Sequence, residues 1–181
     1  CSPCRSGFIN GMYQTTIGAH NHRSHRGPGR PQPAGAIPGP EFPLPATVRV
    51  LTDWLREAGY FTANIKSIPA SVGFSGTGKT DWNFHYKGEP FDSDKWTDLR
   101  QRQPFYAQIN MSETHRNTAS LISTGRAFAA PLRADPAKVA IPPYYPDCRE
   151  VRADWANYLD DASELDRKVG AILAQLEREG L

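Results

Sequence analysis

Residues 47–59 read TVRVLTDWLREAG, with Val48, Leu51, Trp54, Leu55 and Ala58 at intervals of one, three or four and a glycine as the stop. Apolar side chains spaced this way share one face of a helix, so the pattern predicts an amphipathic helix ending at Gly59. From 150 to 179 the positions Val151, Trp155, Leu159, Ala162, Leu165, Val169, Ile172 and Leu176 recur every three or four residues. That predicts a long amphipathic helix, with room for one break, closed by Gly180. Two short runs, 60–65 (YFTANI) and 104–110 (PFYAQIN), predict strands, the second buried and leading into the loop MSETHRNT. A short helix over 5–13 follows a turn at 1–4. Helices alternating with buried strands predict the α/β class, a sheet with helices on both faces. Residues 27–45 stand apart: seven Pro and four Gly in 19 residues exclude a helix interior or a central strand. A loop of that length is uncommon in a compact domain and tends to be functional or mobile. No internal repeat is visible.

Composition narrows the function classes. A net charge of +2 and a pI near 8.5 exclude a nucleic-acid binder that works by phosphate neutralisation. No apolar run is long enough for a membrane span, and no leader pattern is seen. Three Cys make no disulfide framework. The first residue is Cys1 rather than Met, which suggests an interior stretch of a longer chain.

Four constellations carry candidate chemistry. Cys1-Ser2-Pro3-Cys4-Arg5 has CxxC spacing, and a helix N-terminus with an adjacent Arg favours a thiolate. No strand precedes it, as a thioredoxin-like motif requires; a lipidated terminal Cys or two buried structural thiols are the other readings. Cys1, Cys4, His22 and His25 are the right ligand types for tetrahedral zinc, although His-x-x-His is tighter than usual and the histidines also fit a solvated basic loop. Residues 73–80, GFSGTGKT, match the nucleotide-binding P-loop letter for letter. Neither a strong strand pattern before them nor a helical pattern after them supports that reading. Lys79, on a glycine-rich turn, still suits an oxyanion. Last, Glu113-Thr114-His115-Arg116 follows a predicted strand, where α/β sheets place ligand sites; an ordinary loop histidine is the plainer reading.

Taken together, Cys1-Ser-Pro-Cys4-Arg5 followed by Ser6-Gly-Phe-Ile-Asn10-Gly11 resembles the C-x-P-x-R signature of the sulfatase family, in its Cys-type branch. Residues 11–22, 51–60, Gly78-Lys79 and Glu113–Arg116 occur in the family's order, so the resemblance covers essentially the whole chain, closest to bacterial heparan N-sulfatase-like and arylsulfatase-like enzymes. It implies an alkaline-phosphatase-like sulfatase catalytic domain, incomplete over 1–181. It also implies that Cys1 is oxidised to formylglycine by a formylglycine-generating enzyme. The hydrated aldehyde offers two hydroxyls: one attacks sulfur, and the other drives collapse that releases sulfate, splitting a hard step in two. On this resemblance Arg5 supports the hydrate, Lys79 binds sulfate, and His115 contacts sulfate and protonates the leaving group. The substrate would be a sulfated carbohydrate or another sulfate ester or sulfamate, and the compartment periplasmic or extracellular.

Two departures stand out. The family usually has His two residues after the lysine, where this chain has Asp81, which can accept a hydrogen bond from the hydrate or substrate site but cannot donate when ionised. Cys4 stands where Ser or Ala is commoner. The resemblance also implies a Ca²⁺ bound by formylglycine and by acidic and amide ligands outside these residues. The 181 residues alone are therefore expected to be inactive.

Overall fold

The computed structural model describes residues 1–22, 43–115 and 133–181. Most of the Pro/Gly-rich 27–45 stretch, together with His25 and Arg116, lies outside the described residues. The chain divides into two compact units, one of Cys1–Ile68 with Gly78–Asn110, the other of Pro69–Thr77 with Met111–Leu181.

The first unit opens with helix α1, Ser2–Asn10. It begins three residues earlier than the sequence pattern predicts, because Pro3 is tolerated in a first turn, where its missing N–H is no loss. It also ends earlier, at Gly11, whose left-handed φ of 68° closes the helix. Helix α2 is shorter than predicted, Leu51–Glu57, because Val50 is extended and serves as its N-cap. Gly59 does turn left-handed after it. Trp54, assigned to the apolar face, is 55% exposed, with the Arg49 guanidinium 4.2 Å above its ring.

The sheet is wholly parallel in the order β2-β1-β3, with β1 Phe61–Ser67, β2 Ser93–Lys95 and β3 Phe105–Ile109. Strand β2 has too polar a sequence, SDK, to be recognised by alternation. Strand β1 is the central one, and Ala63 and Ile65 are fully buried. Strand β3 is only half-buried along its length, not buried as its apolar run suggests. It pairs with β1 alone among the described residues. Helix α2 and the 3₁₀ segment Trp96–Gln101 pack against β1.

The core that seats α1 is Ile9, Ile17, Ala19, Val50 and Phe84, with Leu44, Val48, Leu51, Trp82 and Tyr86 packed around it. Val48, partly buried, therefore packs against the core although it lies outside α2. Tyr86 donates to Asp53 at 2.5 Å, tying residues 82–86 to α2; burial first, then this carboxylate, pushes its phenol pKa up.

Asp92 locks β1 to the segment before β2. Its carboxylate accepts from Thr62 N and Oγ1, each at 2.8 Å, and from Arg56 Nε at 3.0 Å. Burial opposes ionisation, but the two Thr62 bonds and Arg56 outweigh it, and the pKa is held below the ordinary carboxylate value. A depressed folded pKa gives stability that is present above the unfolded value, about 3.9, and lost as pH falls through the folded one. The melting-temperature gap between wild type and Asp92→Asn should thus be full at pH 5–7 and close on the acid side of about pH 4. A gap that stays constant down to pH 2 contradicts this assignment.

In the second unit, helix α3 runs unbroken over Arg149–Glu179 and stops at Gly180, φ 67°. Its apolar stripe is covered only in part: Ala156 and Ile172 are buried, while Leu159 and Val169 are exposed. Ser71 donates to Gln175 at 3.3 Å, joining the 3₁₀ turn Ala70–Val72 to the helix. Lys168 pairs with Glu113 and lies 4.9 Å over the Phe74 ring.

Candidate active site

Cys1 is the exposed N-cap of α1, and its carbonyl accepts from Arg5 N at 2.9 Å. A side chain at this position stands beside helix N–H groups that have no intrahelical partner and that favour an anion. Ser2 and Ser6 are fully buried, and Ser6 Oγ accepts from Asn83 N at 2.9 Å. The buried face of α1 thus fixes which side carries Cys1 and Arg5.

Arg5 is half-buried. Its Nη1 donates to the Lys79 carbonyl at 3.0 Å and to Asn110 Oδ1 at 2.6 Å. The N-terminal helix, the 78–81 turn and the end of β3 meet at one guanidinium. The Lys79 ammonium is 3.0 Å from Asp81 Oδ2, with the lysine side chain 40% exposed and the aspartate 12%. Asp81 has φ 55°, a conformation that Asn, Asp and His adopt more readily than other side chains.

Cys1, Arg5, Lys79 and Asp81 all belong to the first unit. His115 belongs to the second, in an exposed turn closed by its N–H donating to the Ser112 carbonyl at 2.9 Å.

The P-loop reading of 73–80 is not supported. No helix follows Thr80 before β2, so no row of helix N–H groups faces a phosphate. Gly78 has another purpose: at φ 63° its backbone lies so close to Lys66 that a Cβ there would come within 2.2 Å of Lys66 Cε. The zinc reading fares no better. Among the described residues no three His, Cys, Asp or Glu side chains gather around a common point, Cys1, Cys4 and His22 included, and His25 lies outside them.

Three asparagines escaped the sequence reading. Asn83 Nδ2 donates to the carbonyls of Ala19 at 2.8 Å and Asn21 at 2.6 Å, which pins the turn after α1. Asn64 lies within buried β1, and Asn110 follows β3. The available signal was their type, since Asn is depleted in strands and a buried amide needs partners.

No family model matches the chain. Similarity along its entire length nevertheless relates it to the sulfatases. The relative in question is an ulvan-active sulfatase of Formosa agariphila, 28% identical over 221 aligned positions. The alignment takes in 100% of this chain and 33% of that protein, so the chain spans a third of its relative's length. No helix among the described residues is long and apolar enough to cross a membrane.

Proposed function

We propose that these residues are the nucleophile-bearing part of an alkaline-phosphatase-like sulfatase domain that hydrolyses a sulfuric ester or sulfamate, with formylglycine made from Cys1. The observation that carries this reading is the Arg5 bond to the Lys79 carbonyl, which ties the nucleophile's helix to the lysine turn. Formylglycine suits an exposed helix N-cap: its hydrate would supply one oxygen to attack sulfur and a second to expel sulfate.

The chain's own residues then have defined tasks. The N-terminal amides of α1 and the Arg5 guanidinium favour negative charge on the oxygen at position 1. Nη1 of Arg5 is committed to Lys79 and Asn110, and the remaining guanidinium N–H groups are assigned to that oxygen. Lys79 Nζ binds a sulfate oxygen and meets the charge that develops there. Asp81 orients that ammonium and moderates its charge in the absence of an anion. The resemblance assigns the proton for the departing oxygen or nitrogen to His115, which lies in the second unit. Among the described residues no group of three His, Cys, Asp or Glu side chains could hold the Ca²⁺ that the resemblance implies for the longer protein. The substrate class is a sulfated carbohydrate or aryl sulfate, in a periplasmic or secreted setting. The relative's name makes ulvan the first polymer to assay.

The test is made on the full-length protein produced with a formylglycine-generating enzyme. The peptide containing Cys1 should be lighter than its thiol form by about 18 Da, a covalent conversion visible by mass. Sulfate should be released from ulvan or from a smaller sulfate ester. Sulfate release by protein whose Cys1 is wholly thiol would overturn the assignment, as would fully converted protein that releases none from any of these substrates.

A further inference from the structure

Buried Asn64 and Asn110 are 6% and 9% exposed, and every polar atom of both amides is engaged. Asn110 Oδ1 accepts from Arg5 Nη1 at 2.6 Å, while its Nδ2 donates to Asn64 Oδ1 at 3.0 Å. Asn64 Nδ2 donates to the Gly78 carbonyl at 2.7 Å, and Arg5 Nη1 reaches the next carbonyl, that of Lys79, at 3.0 Å. The bonds close a ring through α1, β3, β1 and the lysine turn. In that ring each amide has one orientation. Asn64 needs its nitrogen for Gly78, so it offers oxygen to Asn110, and Asn110 must turn its own oxygen to Arg5. We propose that Asn110, oriented by Asn64, is a positioning residue for Arg5: it fixes the guanidinium without cancelling its charge. The catalytic part of this inference rests on the function proposed above.

Chemistry explains why an amide fits. A carboxylate at position 110 would grip the guanidinium more strongly but neutralise it. An apolar side chain would leave the Arg5 donor short of a partner and Asn64 Oδ1 with the long 3.5 Å bond from Gln108 Nε2. The amide holds the cation in place and leaves its charge available to an anion at residue 1.

The test compares wild type, Asn110→Ala, Asn110→Asp, Arg5→Ala and the Arg5→Ala/Asn110→Ala double variant of the full-length protein, with kcat and KM measured on one sulfate ester. Asn110→Ala should lower kcat about tenfold and change KM by less than about threefold, since a transition-state contact is misplaced. In the Arg5→Ala background the same change should cost less than about twofold, because a residue acting through Arg5 has nothing left to position. Asn110→Asp should lose at least as much kcat, because it neutralises Arg5 and gives up the bond that Asn110 Nδ2 donates to Asn64 Oδ1. Equal losses in both backgrounds, or no loss from Asn110→Ala, would overturn the proposal. If wild type releases no sulfate, the functional reading fails, and crystal structures of wild type and Asn110→Asp or Asn110→Ala decide the positioning claim. An Arg5 guanidinium drawn off the Lys79 carbonyl in Asn110→Ala supports it; one that stays overturns it.

Discussion

Arg5→Ala is expected to reduce sulfate release by the full-length protein by about 10²–10³-fold, the usual cost of removing one preorganised donor from a site of developing charge. The expectation follows from where Arg5 sits. Its guanidinium is half-buried, one helical turn from the Cys1 cap, and bonded to the Lys79 carbonyl at 3.0 Å and to Asn110 at 2.6 Å. Loss of the side chain removes a cation one helical turn from Cys1 and also a hydrogen bond from α1 to the lysine turn. Two acceptors, the Lys79 carbonyl and Asn110 Oδ1, are left short of a donor, at about 1–3 kcal/mol each if they stay dry. Arg5→Lys should recover less than tenfold of the loss, because a single ammonium cannot replace the planar fork that reaches two partners and an anion together. Steady-state kinetics with a melting curve for each variant separates the two effects. Unchanged kcat/KM in folded Arg5→Ala protein would remove Arg5 from the mechanism.

Ile9→Ala should destabilise the protein by about 2–5 kcal/mol, the usual range for emptying a buried aliphatic site. Ile9 is 1% exposed and packs with Ile17, Ala19, Val50 and Phe84. Those partners come from the turn after α1, the cap of α2 and the segment after the lysine turn, so a cavity there loosens all three. Total stability of a domain is only about 5–15 kcal/mol, so this one change removes a large share. Ile9→Val should cost about 0.5–1.5 kcal/mol. Urea titration of the three proteins measures the series, and a shift below about 1 kcal/mol for Ile9→Ala would show that α1 is seated by something other than this cluster.

The elements that follow their own periodicity were legible. Helix α3 has eight apolar positions in helical register and a closing glycine, and it forms within one residue of the predicted start. Strands β1 and β3 appear close to where their apolar runs lie. Helix α2 was over-read because Val48 keeps helical spacing while its backbone belongs to a turn. Spacing reports which residues face a core, not which backbone dihedrals take them there. Strand β2 was missed because three polar residues pair through backbone and carry no side-chain signal.

Sequence alone determined the residue types and their local order: a cysteine ahead of a proline and an arginine, a lysine on a glycine turn, a histidine after a strand, and the helical and extended runs between them. Those properties are local, set by the covalent chain and by the periods of helix and strand. Only the tertiary structure decided that Arg5 would reach a backbone carbonyl 74 residues away and an asparagine 105 residues away. It also decided that Asn64 and Asn110 would be buried partners rather than solvated amides, and that Lys79 would pair with Asp81 across a left-handed turn. The physical reason is that a hydrogen bond has no period along the chain. Its partners are selected when the core around Ile9 and Phe84 and the parallel pairing of β1 with β3 bring distant backbone together, and a buried polar atom left without a neighbour is costly.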